Sequence, residues 1–161
     1  ADEQSLEKAW AGCPDEQRKK PEILAIYVTQ LLIKGGDVAA EKLLQKTLKK
    51  SWHPQLVNLY GLTAGADSRK QLQLAEAWLV QRSDDAGLLL CLGRLSLREQ
   101  LWGKARDYFE TSQRLQPSSE CCAELARLLF GLGEREKSAQ CYREGLLLVE
   151  SQLPNLPLPK K

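Results

Sequence analysis

The sequence predicts an all-α chain in which antiparallel helix pairs stack into a right-handed solenoid. Three observations carry the prediction. Aromatic residues are sparse, and the prolines fall between apolar segments of helical period rather than within them. Small residues recur where two helices of a pair would cross, each with a large apolar residue four positions on. The whole pattern of small residue, alanine and proline stop then repeats at close to constant spacing.

The pattern is clearest in LLLCLGRLSLREQLWGKARDYFETSQRLQPSS, which begins at residue 88. Gly93 supplies the first-helix contact and Ala105 the second. Phe109 fills the groove beside them, and Pro117 stops the second helix because it can neither donate nor continue. Arg127 and Ala139 each follow their counterparts, Gly93 and Ala105, by 34 residues, with Tyr142 as the nearby aromatic. Upstream, Tyr60-Gly61-Leu62 precedes Gly93, and Ala75 with Leu79 repeats the second-helix spacing. Ala40 with Leu44 follows the Gly35-Gly36-Asp37 turn, in which glycine relaxes the backbone and Asp37 is placed to cap the next helix.

This unit resembles the tetratricopeptide repeat. It divides 1–161, read as one domain, into a partial repeat at 1–20, repeats at about 21–54, 55–85, 86–119 and 120–151, and a proline-rich tail at 152–161. The helix pairs fall at roughly 21–50, 55–82, 86–116 and 120–150. With an amphipathic helix at 4–12 presenting Leu6 and Trp10, the chain is expected to hold about nine helices. In the tail, Leu153, Leu156 and Leu158 are the residues expected to cover the last pair.

Composition narrows the function. A formal charge of +2 gives no argument for nucleic acid or a membrane surface. The longest apolar runs, such as ILAIYV, fall far short of the ~18 residues of a membrane helix. The five cysteines (Cys13, Cys91, Cys121, Cys122, Cys141) are odd in number and lack framework spacing, which points to a reducing compartment rather than a disulfide scaffold. The polar start, ADEQSLEKAW, is not a signal peptide, and an alanine start in a chain without methionine suggests a piece of a longer protein.

Several strings go beyond the generic repeat. LVNLYGL at 56–62, LAEAWL at 74–79, the GDVAAEKLLQKTLKKSWHP passage, Trp10 with Pro14, and above all LGRLSLREQLWGKARDYFE at 92–110 resemble the carboxy-terminal region of the bacterial HemY family. The resemblance spans nearly the whole chain. It implies a protein held at the cytoplasmic face of the inner membrane by two upstream membrane helices, associated with late protohaem synthesis or haem homeostasis, with no catalytic residues assigned. The expected function is then a non-catalytic scaffold for protein partners, among them haem-pathway enzymes. The alternatives are a generic scaffold of envelope or secretion assembly, and a carrier that binds haem or porphyrin itself.

The register turns Asn58, Leu62, Leu90, Arg94, Arg98, Glu124 and Leu128 toward the concave face, where partners are expected. Arg94 and Arg98 lie one helical turn apart and suit a carboxylate. Cys13, before Pro14, and His53, the sole histidine, are the two side chains able to give haem iron a strong axial bond. The ordinary readings are a helix ending before proline and a histidine in an inter-repeat turn. No resident cofactor is expected. Cys121 and Cys122 lack the paired spacing of a zinc site, and as consecutive helical positions one should pack while the other faces out. Core packing is the expected role of at least three of Trp10, Trp52, Trp78 and Trp102. Lys42, Lys46, Lys49 and Lys50 line one helix face, solvated or turned to an acidic surface. No nucleophile–base pair, phosphate loop or acidic pair can be assembled, so no enzyme is expected.

Overall fold

The computed structural model describes residues 3–154 and 157. Among them the chain forms ten helices and no strand: α1 (Glu3–Ala11), α2 (Asp15–Arg18), α3 (Pro21–Ile33), α4 (Asp37–Leu48), α5 (Pro54–Leu62), α6 (Ser68–Trp78), α7 (Ala86–Arg98), α8 (Trp102–Leu115), α9 (Ser119–Gly131) and α10 (Arg135–Glu150). The helix beyond the expected nine is α2, a single turn after Pro14. The pairs α3–α4, α5–α6, α7–α8 and α9–α10 stack as a tetratricopeptide-like superhelix.

Local chemistry fixes the ends. Pro21 and Pro54 open α3 and α5 at the position where a missing N–H costs nothing. The side chains of Asp67, Asp85 and Ser118 accept from Lys70 N, Leu88 N and Cys121 N at 3.0, 2.9 and 3.1 Å, capping α6, α7 and α9. Three first helices finish in one motif. After α3, α7 and α9, a residue with positive φ (Gly35 at 80°, Gln100 at 58°, Gly133 at 84°) turns the next N–H back onto the last turn. Gly36, Leu101 and Glu134 thus donate to Leu31, Ser96 and Leu129 at 2.8–2.9 Å. Gln100 holds this left-handed conformation without being glycine, at a cost of about 1 kcal/mol.

Asp37 does not cap α4. Its Oδ1 instead accepts from Ala64 N at 2.7 Å, while Glu41 accepts from Ala66 N at 3.1 Å, so α4 holds the loop between α5 and α6. Gln71, fully buried, completes the hold by accepting from Gly65 N and donating to the Tyr60 and Thr63 carbonyls, each at 3.1 Å.

Packing centres on α7, where the nine residues Leu88–Ser96 are all buried. A helix buried all round must let its neighbours come close. A Cβ on Gly61 of α5 would stand 2.9 Å from Cys91 Cα, and one on Gly93 would collide with the Phe109 ring of α8. Ala40, Ala75 and Ala105 are fully buried at their crossings, as their spacing predicted. Ala139 is not. It is exposed, and Ser138 is buried in its place, its hydroxyl donating to Ala126 O at 2.7 Å. The last repeat has a period of 33, not 34: Gly93, Gln100, Ala105 and Ser112 correspond to Ala126, Gly133, Ser138 and Gly145. Arg127, expected at a crossing, is accordingly exposed.

The core forms two clusters. One runs from α3 to α7; the other joins Leu90 of α7 to Ala105 and Phe109 of α8 and Cys121, Leu125, Leu128 and Leu129 of α9. Cys121 and Cys122 are both buried, because α9 is sandwiched. Cys121 Sγ donates to Phe109 O on the α8 side, and Cys122 meets Gly145 on the α10 side. Trp10 stacks on Tyr27 at 4.1 Å, and Trp78 meets Trp52 edge-on at 5.4 Å. Of the residues expected to cover the last pair, Leu153 is exposed, while Leu156 and Leu158 lie outside the described residues.

The close approach at Gly61 is testable. Because its neighbour there is backbone, Gly61→Ala should cost about 1–3 kcal/mol in urea unfolding followed by circular dichroism. Gly103 has nothing within 4 Å of its would-be Cβ. Gly103→Ala should therefore stabilise, by up to about 1 kcal/mol.

Candidate interaction groove

The residues expected on the concave face come together, but not as a free anion clamp. Arg94 is only 6% exposed, and all its nitrogens are engaged. Nε donates to Glu124 Oε1 at 2.9 Å, Nη1 to Asn58 Oδ1 at 2.6 Å and Nη2 to Glu120 Oε1 at 2.6 Å. Burial alone would lower its pKa, yet the two carboxylates raise it above the ordinary guanidinium value. The side chain ties α5, α7 and α9 together, with each nitrogen already bonded to an acceptor inside the array. Arg98 is exposed, and its Nη2 donates to Leu62 O at 2.6 Å, satisfying a carbonyl at the end of α5. Leu90 and Leu128 belong mainly to the core, whereas Leu62 is exposed.

The open apolar concavity lies one turn further along. Leu97 from the end of α7, Trp102 from the start of α8, and Glu124, Leu128 and Leu132 from α9 and its end line a groove of about 420 Å³, with Arg127 at the rim. Trp102 is 43% exposed, the exception among the four tryptophans, which are otherwise partly buried in the packing. Glu124 reaches both features: one oxygen accepts from Arg94, and the other lies 3.6 Å from Arg127. The rim is thus polar but largely paired, around an apolar floor. Only Glu124 and Leu128 of the expected set line this groove. Trp102 was visible in the sequence, but its position at the first residue of α8, outside the buried crossing, depends on the Gln100 turn.

Cys13 lies half-buried in the turn between α1 and α2, and His53 precedes α5 with its Nδ1 buried and unbonded. They occupy separate turns. No cluster of three or more His, Cys, Asp or Glu side chains suited to a metal occurs among the described residues. Burial pushes the Cys91 thiol up to about 12 and Cys121 to about 11, and raises Cys122 and Cys141 as well. These four sulfurs are small apolar spacers rather than nucleophiles. No helix among the described residues is long and apolar enough to cross a membrane.

No protein-family model and no curated protein matches the chain. Solved structures do. A crystal structure of MamA aligns with a TM-score of 0.58 at 13% identity, covering 92% of this chain and 87% of that one. MamA 41-end from Desulfovibrio magneticus RS-1 gives 0.58 at 19% identity over 93% and 86%. The fold is of the tetratricopeptide type. At these identities the likeness extends to the fold and no further.

Two outcomes follow from the site. Arg94→Ala should destabilise by about 1–3 kcal/mol in chemical denaturation, because Glu124 and Asn58 lose a buried partner while Glu120 remains half in water. Cys91 is held protonated when folded, so its contribution is intact below the ordinary thiol pKa near 9 and is lost as pH rises toward 12. Wild type should therefore lose more stability than Cys91→Ala between about pH 9 and 10.5.

Proposed function

We propose that the chain is a non-catalytic protein-interaction scaffold whose partner inserts an apolar side chain into the groove between α7 and α9. The observation that carries this is Trp102, a rigid aromatic 43% exposed in an apolar concavity whose one acid, Glu124, is already bonded to Arg94. Such residues supply most of the binding energy when a partner desolvates them. The fold supports the scaffold reading, because stacked helix pairs provide long continuous surfaces without catalytic geometry.

At a finer level, we propose that this scaffold is the repeat region of a HemY-like protein, acting at the cytoplasmic face of the bacterial inner membrane through an upstream anchor and gathering haem-pathway enzymes. Support comes from the strings quoted above, chiefly 92–110, which includes Leu101-Trp102-Gly103-Lys104 at the groove. No resident cofactor is part of the proposal.

The test uses a photo-crosslinking residue at position 132 in the full-length protein, expressed in its own bacterium, with captured proteins identified by mass spectrometry. Capture of tetrapyrrole enzymes, reduced about tenfold by Trp102→Ala, is the expected result. Secretion or envelope components would overturn the finer assignment while leaving the scaffold. Capture indifferent to Trp102→Ala would overturn the groove. Hemin titration should give weak, non-stoichiometric absorbance changes; a stoichiometric Soret band abolished by Cys13→Ala or His53→Ala would establish the carrier instead.

A further inference from the structure

A second concavity, sharing no lining residue with the Trp102 groove, lies against α4. Trp10 of α1, Leu24 of α3 and Leu43 of α4 line its apolar part, within a groove of about 550 Å³. Its walls carry Arg18 and Lys19 from the α2 segment, and Lys46 and Lys50 from the end of α4. Four cations from two separate segments therefore face one recess. Among its lining residues the sole acid is Asp15, already paired with Arg18. Lys19, Lys46 and Lys50 make no ion pair among the described residues. Arg18 Nε is buried with no hydrogen-bond partner, a donor left waiting for an acceptor.

The helix dipole accounts for part of this, since cations in the last turn of α4 offset its negative end. It does not account for the convergence of Arg18 and Lys19, at the end of the separate single-turn α2, on the same space. Nor does solvation explain the floor, where Leu24 is nearly fully buried and Trp10 turns one face to Tyr27.

We propose that this groove binds an acidic peptide segment of a partner protein, its carboxylates on the three unpaired lysines and Arg18 Nε, and one apolar side chain seated on Trp10 and Leu43 above the buried Leu24. Charge complementarity selects the sign of the ligand. The recessed apolar floor selects a peptide over an anionic bilayer, because a flat membrane meets protruding cations and cannot reach side chains at the bottom of a concavity. The site is separate from the Trp102 groove, so the chain presents two docking surfaces of different chemistry: one apolar, one cationic with an apolar floor.

The experiment pans a library of random dodecapeptides on the 161-residue chain and measures selected peptides by fluorescence anisotropy. The expected peptides combine several Asp or Glu with a Leu, Ile, Phe or Trp. Their Kd should rise at least about tenfold on Lys46→Glu with Lys50→Glu, and on replacing their apolar residue by glycine. Lys34→Glu, at the end of α3, should change Kd less than about twofold, and Trp102→Ala should leave these peptides bound. Lys46→Gln with Lys50→Gln repeats the test without charge reversal, and circular dichroism confirms folding. Three results would overturn the proposal: no enriched peptide sensitive to the lysine substitutions; binding indifferent to the apolar residue, which means a polyanion site; or preferential binding of vesicles containing phosphatidylglycerol over the selected peptides, which means a membrane surface.

Discussion

Everything in this array depends on one helix being surrounded. With Leu88–Ser96 buried without interruption, α7 has no solvent face along its central turns and must be met by neighbours on every side. Geometry then leaves little choice of side chain. Where α5 comes nearest, the residue is Gly61 against Cys91; where α8 comes nearest, Gly93 against Phe109. The one charged residue in the buried run, Arg94, persists only because Asn58, Glu120 and Glu124 satisfy each of its nitrogens. The two core clusters meet on this helix, so the packing that fixes α7 also fixes how the front and rear halves of the array are joined.

Much of this architecture could be read in the sequence because it rests on local steric rules. Gly93, Ala105 and Phe109 declare a crossing by their sizes, and Gly35 declares a turn by the conformation it alone adopts without strain. The misreadings have a common cause. A period of 34 carried forward from Ala105 lands on Ala139, whereas a turn at Gly133, 33 residues after Gln100, shifts the register by one and buries Ser138. Gln100 hides that correspondence, since nothing about glutamine announces a positive φ. Cys121 and Cys122 were expected to divide between inside and outside, a rule that holds for a helix with one buried side and fails for α9, enclosed by α8 and α10.

The functional surface was less legible for a different reason. Sequence spacing places Arg94 and Arg98 on one face, but it cannot show that acids from the next repeat fill the same space. Glu120 and Glu124 lie 26 and 30 residues from Arg94, and their pairing emerges only when the helices stack. The same limit hid the cationic recess. Lys46 near the end of α4 and Lys50 just beyond it are visibly four residues apart, but Arg18 and Lys19 join them only through the short α2 turn, which sequence periodicity did not resolve. In both places the chemistry belongs to a junction between repeats rather than to any one repeat.

The two kinds of joint around α7 have mechanical consequences. Toward α5 the contact is backbone against side-chain root, rigid and nearly incompressible. Toward α9 the backbones do not run together, and Arg94 spans the gap with its long side chain. Across the α7–α9 joint Arg94 holds by two of its hydrogen bonds, to Glu124 and Glu120, beside the apolar cluster that joins Leu90 to the α9 leucines. The Trp102 groove opens next to these bonds and shares Glu124 with them. An occupant of that groove therefore rests against a side chain that also ties two repeats together.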